Sequence, residues 1–70
     1  MKHIDVELVS RNLKACRIRA GYTQAEASKK IGKSDRMVQI YEANPKVMSI
    51  EVMLSLANLY GCSPQDFFVG

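Results

Sequence analysis

Tryptophan is missing from the 70 residues, histidine occurs once, and cysteine and proline occur twice each. A lone His3, with Cys16 and Cys62 far apart and neither in a CxxC pair, supplies no ligand set for zinc and no disulfide framework. The same scarcity leaves no Ser/His/Asp, Cys/His or paired-carboxylate arrangement to assemble, so an enzyme is not expected and no metal or cofactor is implied. Apolar runs are short. No segment approaches the roughly 20 consecutive apolar residues of a membrane span, and the opening MKHIDVELVSRNLK lacks the apolar stretch of a signal peptide. These absences predict a soluble, cytoplasmic protein with no membrane partner. No proline-, glycine- or serine-rich tract divides the chain, and residues 1–70 read as one domain.

What is present is a 47% apolar content, enough to fill a small core if the elements are regular. The formal charge of +3 is unevenly spread: residues 1–22 carry five basic and two acidic groups, residues 44–70 one and two. A basic front half suits contact with a polyanion, although a charge of this size is common among soluble domains.

Periodicity points to helices throughout. Val6, Val9, Leu13, Cys16 and Ala20 recur at steps of three and four before Gly21, which predicts a first helix from about Asp5, a candidate cap, to Ala20. Thr23-Gln24-Ala25-Glu26 is a capping box opening a short helix that ends at Ile31-Gly32. Ser34 offers a cap for a third helix, Asp35 to Ala43, stopped by Asn44-Pro45. Ser49 caps Ile50 to Tyr60, Gly61 closes it, and Ser63-Pro64 starts a fifth segment whose Phe67 and Phe68 are expected to cover the core. The fold expected is all-α, a compact five-helix cluster.

The second and third helices are separated only by Ile31-Gly32-Lys33-Ser34, the spacing of a helix-turn-helix over about residues 23–43. An ordinary α-hairpin in a small bundle has the same spacing. In a helix-turn-helix the first helix crosses the phosphate backbone and the turn sets the outer face of the second into the major groove. On the third helix, Val38 and Tyr41 share one side, while Arg36, Gln39, Ile40 and Ala43 share the other.

The wider sequence resembles the phage repressor and Cro family of helix-turn-helix proteins, also called the xenobiotic-response-element family. The resemblance rests on Arg17-x-x-x-Gly21-Tyr-Thr-Gln24-x-Glu26, Ile31-Gly32-x-Ser34-x-x-x-Val38-x-x-Tyr41-Glu42, Ser49-Ile50-x-x-x-Leu54-x-x-Ala57 and Gly61-Cys-Ser63. It runs from Leu13 through Phe68. The chain departs from the family at Ala27-Ser28, where Leu-Ala is usual, at Lys33 for a valine-like residue, at Asn44 for glycine and at Met48 for proline.

The resemblance implies a bacterial or phage-encoded regulator that binds double-stranded DNA in the major groove, acting as a repressor on a pseudo-palindromic operator. A protein-interaction module on the same scaffold is the alternative. It further implies that Gln24 clamps a phosphate, with Lys29, Lys33, Ser34 and Ala43 also assigned to the backbone, and that Arg17 and Glu42 form a buried structural ion pair. Base readout falls to the presented face: Arg36 can bond guanine O6 and N7 together, and Gln39 can bond adenine N6 and N7. Ile40 either meets a thymine methyl or fills an apolar contact, and Asp35 either accepts from cytosine N4 or favours the helix N-terminus. The fourth helix is apolar over more than half its circumference. With Ile50, Met53, Leu54 and Ala57 taken as its core stripe, Val52, Leu56 and Leu59, with Phe68, are expected to form a homodimer interface.

Overall fold

A computed structural model describes residues 5–70, which leaves His3 outside the described residues. The chain forms α1 (Val6–Ala20), α2 (Gln24–Lys30), α3 (Met37–Ala43), a 3₁₀ turn (Pro45–Val47), α4 (Ile50–Tyr60) and a terminal 3₁₀ helix (Pro64–Phe68). The architecture is all-helical, but with four α-helices among the described residues rather than five. The last segment has the expected start, a Ser63–Asp66 capping box with Pro64 in its first turn, yet its five residues are too few to propagate an α-helical ladder and it tightens to 3₁₀.

Side chains satisfy the free helix ends. Asp5 accepts from the Leu8 amide, the Thr23 and Glu26 side chains accept reciprocally from each other's backbone N–H, and Ser49 accepts from Val52. Gly21 and Gly61 stand in the left-handed region at φ 88° and 71°, closing α1 and α4 in a conformation that side chains with a Cβ resist.

Val9, Leu13 and Cys16 of α1, Val38 and Tyr41 of α3, and Phe67 meet in one core with the buried face of α4. That face meets the expected stripe at Ala57 and the half-buried Met53 but not at Ile50 or Leu54. Val52, Leu56, Ala57 and Tyr60 are buried, whereas Ile50 and Leu54 are 72% and 49% exposed. Val52 and Leu56 therefore cannot form a dimer surface, and Leu59 is half-buried against the core. Glu51, Ser55 and Asn58, all exposed, form the polar stripe of α4, and the apolar residues opposite it turn inward. Tyr60, the largest residue of the helix, lies on the Val52–Leu56 side and takes that side inward.

Phe67 is fully buried, but Phe68 stays 43% exposed and does not cover the core. Asn12 of α1 secures this end of the chain, its Nδ2 donating to the Phe67 and Val69 carbonyls at 3.0 and 2.8 Å.

Candidate nucleic-acid interface

Between α2 and α3 the chain reverses through Gly32, at φ 76°, with its amide donating to Lys29 O at 3.0 Å and the Lys33 amide to Ser28 O at 2.9 Å. Lys33 is exposed, so its charge leaves the turn for solvent instead of docking where an apolar residue would. α3 begins at Met37, two residues later than its expected start at Asp35. Ser34 lends only its carbonyl, to the Met37 amide, and Arg36 occupies the cap position with helical backbone and no capping side chain.

The missing cap comes from another helix. Ser28 Oγ of α2 accepts from the Val38 amide at 2.9 Å and donates to the Gln24 carbonyl, also at 2.9 Å. Both Ser28 and Val38 are fully buried. The sequence reading assigned Ser28 no role; the available signal was a hydroxyl at a helical position whose spacing requires burial, beside Ala27.

Outside, Arg36, Gln39, Ile40 and Ala43 line one shallow depression of about 200 Å³, and all four are exposed. This face offers a forked cation, an amide with donors and an acceptor, one apolar contact and one small residue through which a surface can approach. Asp35 is drawn to Lys29, 3.9 Å away, with both side chains more than 60% exposed. A pair so solvated holds neither residue firmly.

Beneath the same helix lies a buried polar network. Arg17 Nε donates to Glu42 Oε2 at 2.7 Å and Nη2 to Oε1 at 3.3 Å, while Nη1 donates to the Tyr22 carbonyl at 2.9 Å. Gln24 Nε2 adds a bond to Glu42 Oε1 at 3.0 Å, and Ser10 Oγ donates to the Glu42 carbonyl. Arg17 and Glu42 are 8% and 7% exposed, on helices whose Leu13, Val38 and Tyr41 are buried, whereas Ile18 faces solvent. Gln24 is thus tied inward by one of its two amide hydrogens while remaining half-exposed at the start of α2.

Burial, with the Glu42 charge adding to it, pushes the Tyr60 phenol well above its ordinary range, and the hydroxyl has no hydrogen-bond partner. Burial likewise pushes the Cys62 thiol up to about 11, reinforced by the Cys16 thiol beside it. Neither is placed for chemistry at neutral pH. Backbone donation from Thr23 holds the exposed Glu26 carboxyl below its usual value, which keeps it a charged acceptor in the α2 cap.

Away from the depression, Val6, Val9, Met48, Ile50, Met53 and Phe68 line an apolar groove of about 470 Å³, with Lys46 at its edge. Of the residues expected at a dimer interface, only Phe68 reaches it.

A family model described as Helix-turn-helix matches residues 13–67. The chain is also 34% identical over 62 residues to the HTH-type transcriptional regulator ImmR of Bacillus subtilis (strain 168), an alignment covering 89% of this chain and 48% of the relative. The chain therefore spans about half the length of that relative. No solved structure gives a significant match.

Proposed function

The chain belongs to the helix-turn-helix family, and from that premise we propose that it regulates transcription by binding double-stranded DNA sequence-specifically, as a repressor that occupies an operator. One observation carries this reading: Arg36, Gln39, Ile40 and Ala43 stand together and free on one face of α3, while the opposite face is fixed by burial and by the ion pair. A helix presented in this way has the side chains to read base edges and the rigidity to do so at a fixed angle.

Arg36 reads a guanine, Gln39 an adenine, and Ile40 packs against a thymine methyl. Asp35 tunes the edge of the contact from its exposed position beside Lys29. Gln24, Lys29, Lys33, Ser34 and Ala43 meet the phosphate backbone, which sets register without reading sequence.

The active species is a homodimer joined through the apolar groove, with Ile50, Met53 and Phe68 in the contact. A large apolar surface on so small a domain favours burial against a second copy. The two-fold axis then sets two α3 helices about 34 Å apart on a pseudo-palindromic site.

Gel-shift titration against genomic fragments at two salt concentrations tests the function. The expected result is a preferred fragment whose affinity falls steeply with salt. Uniform binding to all fragments, or none, excludes sequence-specific regulation and favours a protein-interaction module on the same scaffold.

A further inference from the structure

Helix α3 is short, and its first-turn amides have no capping side chain of their own. One of them, Val38 N–H, is fully buried and so needs a partner inside the protein. Its partner is the hydroxyl of Ser28, in the last turn of α2, and that hydroxyl in turn donates a hydrogen bond to the carbonyl of Gln24 in the first turn of α2. One oxygen thus joins the start of α2, the body of α2 and the start of α3, with both bonds at 2.9 Å.

We infer that Ser28 is a positioning residue for DNA reading: its hydroxyl is the cap of α3, supplied from α2, and it fixes the angle at which Arg36 and Gln39 are presented. The inference rests on the DNA-binding reading above and adds to it a residue that touches no DNA. Its logic is geometric. At this end the other polar links across the turn are backbone bonds within the turn and the solvated Lys29–Asp35 pair, which is too weak to hold an angle, and the apolar packing of Ala27 and Val38 in the core holds the helices together without a directional bond. The far end of α3 is held separately by Arg17, Gln24 and Ser10 acting on Glu42. Two polar clamps, one at each end, add direction to a seven-residue helix whose Val38 and Tyr41 already pack into the core. Ser28 is the clamp beside Arg36.

Removing the hydroxyl leaves Val38 N–H buried without an acceptor, and α3 shifts to find one. Phosphate contacts made from α2 survive such a shift, whereas base contacts made from α3 do not. Loss of Ser28 therefore falls on discrimination more than on overall affinity.

The experiment uses the full chain with Ser28→Ala and Ser28→Cys, the second keeping the size of the side chain with a much weaker acceptor. Urea denaturation first fixes conditions in which each variant is fully folded; if Ser28→Ala does not fold, Ser28→Cys carries the test. Two quantities are then measured: exchange of the Val38 amide by NMR, and the ratio of affinity for the preferred fragment to affinity for random DNA. The expected result is Val38 exchange faster by about tenfold and a ratio lower by about tenfold in the variants. Unchanged Val38 exchange overturns the cap, and lower stability with an unchanged ratio overturns the positioning role. A wild-type chain that prefers no fragment overturns the DNA reading and the positioning role with it, while Val38 exchange still reports the cap by itself.

Discussion

At the scale of single residues, the Arg17–Glu42 pair separates charge from packing. Each partner is desolvated, and each has the other as its main counter-charge. Arg17→Met or Glu42→Leu should each lower stability by about 3–5 kcal/mol, since either change strands a buried charge, and the double variant should recover much of the loss. A double-mutant cycle in urea measures this; small, additive costs would mark a weak pair. On the outer face the expectation is selective. Arg36→Ala should weaken the preferred site by about 1–3 kcal/mol and relax one base-pair position, while Lys29→Ala should weaken all sequences alike, as binding-site selection with each variant will show. Alkaline pH gives a third test. The Cys62 thiol titrates higher in the folded chain than its unfolded value of 9.0, so the unfolded state releases its proton first and stability falls as pH rises from about 9 to about 11. Cys62→Ala should flatten the urea-midpoint profile between about pH 9 and 10 and reduce its slope above that, where the loss from Tyr60, whose phenol is raised from 10.0, sets in.

At the scale of elements, α4 shows where sequence patterning runs out. The exposed Glu51, Ser55 and Asn58 form a polar stripe whose opposite side carries Met53, Leu56, Ala57 and Tyr60, so the pattern marks Leu56 as inward, but it leaves Ile50 and Val52, on the two borders, undecided, and Val52 is the one buried. Leu56→Ala should accordingly cost about 2–5 kcal/mol, while Ile50→Ala at high dilution should stay within about 0.5 kcal/mol of wild type in thermal or urea unfolding. The ends of α1, α2 and α4 are more readable because they carry chemistry: Asp5, Thr23 with Glu26, Ser49, Gly21 and Gly61 all cap where their types suggest. The start of α3 is not. Ser34 looked like its cap, but the turn uses the Ser34 carbonyl, and the hydroxyl that serves the helix arrives from ten residues upstream of Val38. Local sequence rules cannot see a cap donated through space. The outward set of Arg36, Gln39, Ile40 and Ala43 was legible because a buried Val38 and Tyr41 leave the opposite side nowhere to go but out.

At the scale of the whole molecule, the open question of assembly turns on the groove bounded by Ile50, Met53 and Phe68. Sedimentation equilibrium at micromolar concentration should give twice the chain mass for wild type and a monomer for Ile50→Glu, which puts a charge into the apolar contact. A dimer unaffected by Ile50→Glu would place the interface elsewhere, and a monomeric wild type would limit dimerisation to the DNA-bound state. The bonds from Asn12 to the Phe67 and Val69 carbonyls bear on assembly in another way. Asn12 lies on the same rod-like helix as Ser10 and Arg17, which grip the far end of α3. A tug on the carboxyl end is therefore delivered to α1 as a lever, with its load arm against Glu42, and any protein fused behind Gly70 would be mechanically geared to α3, the helix proposed above to read DNA.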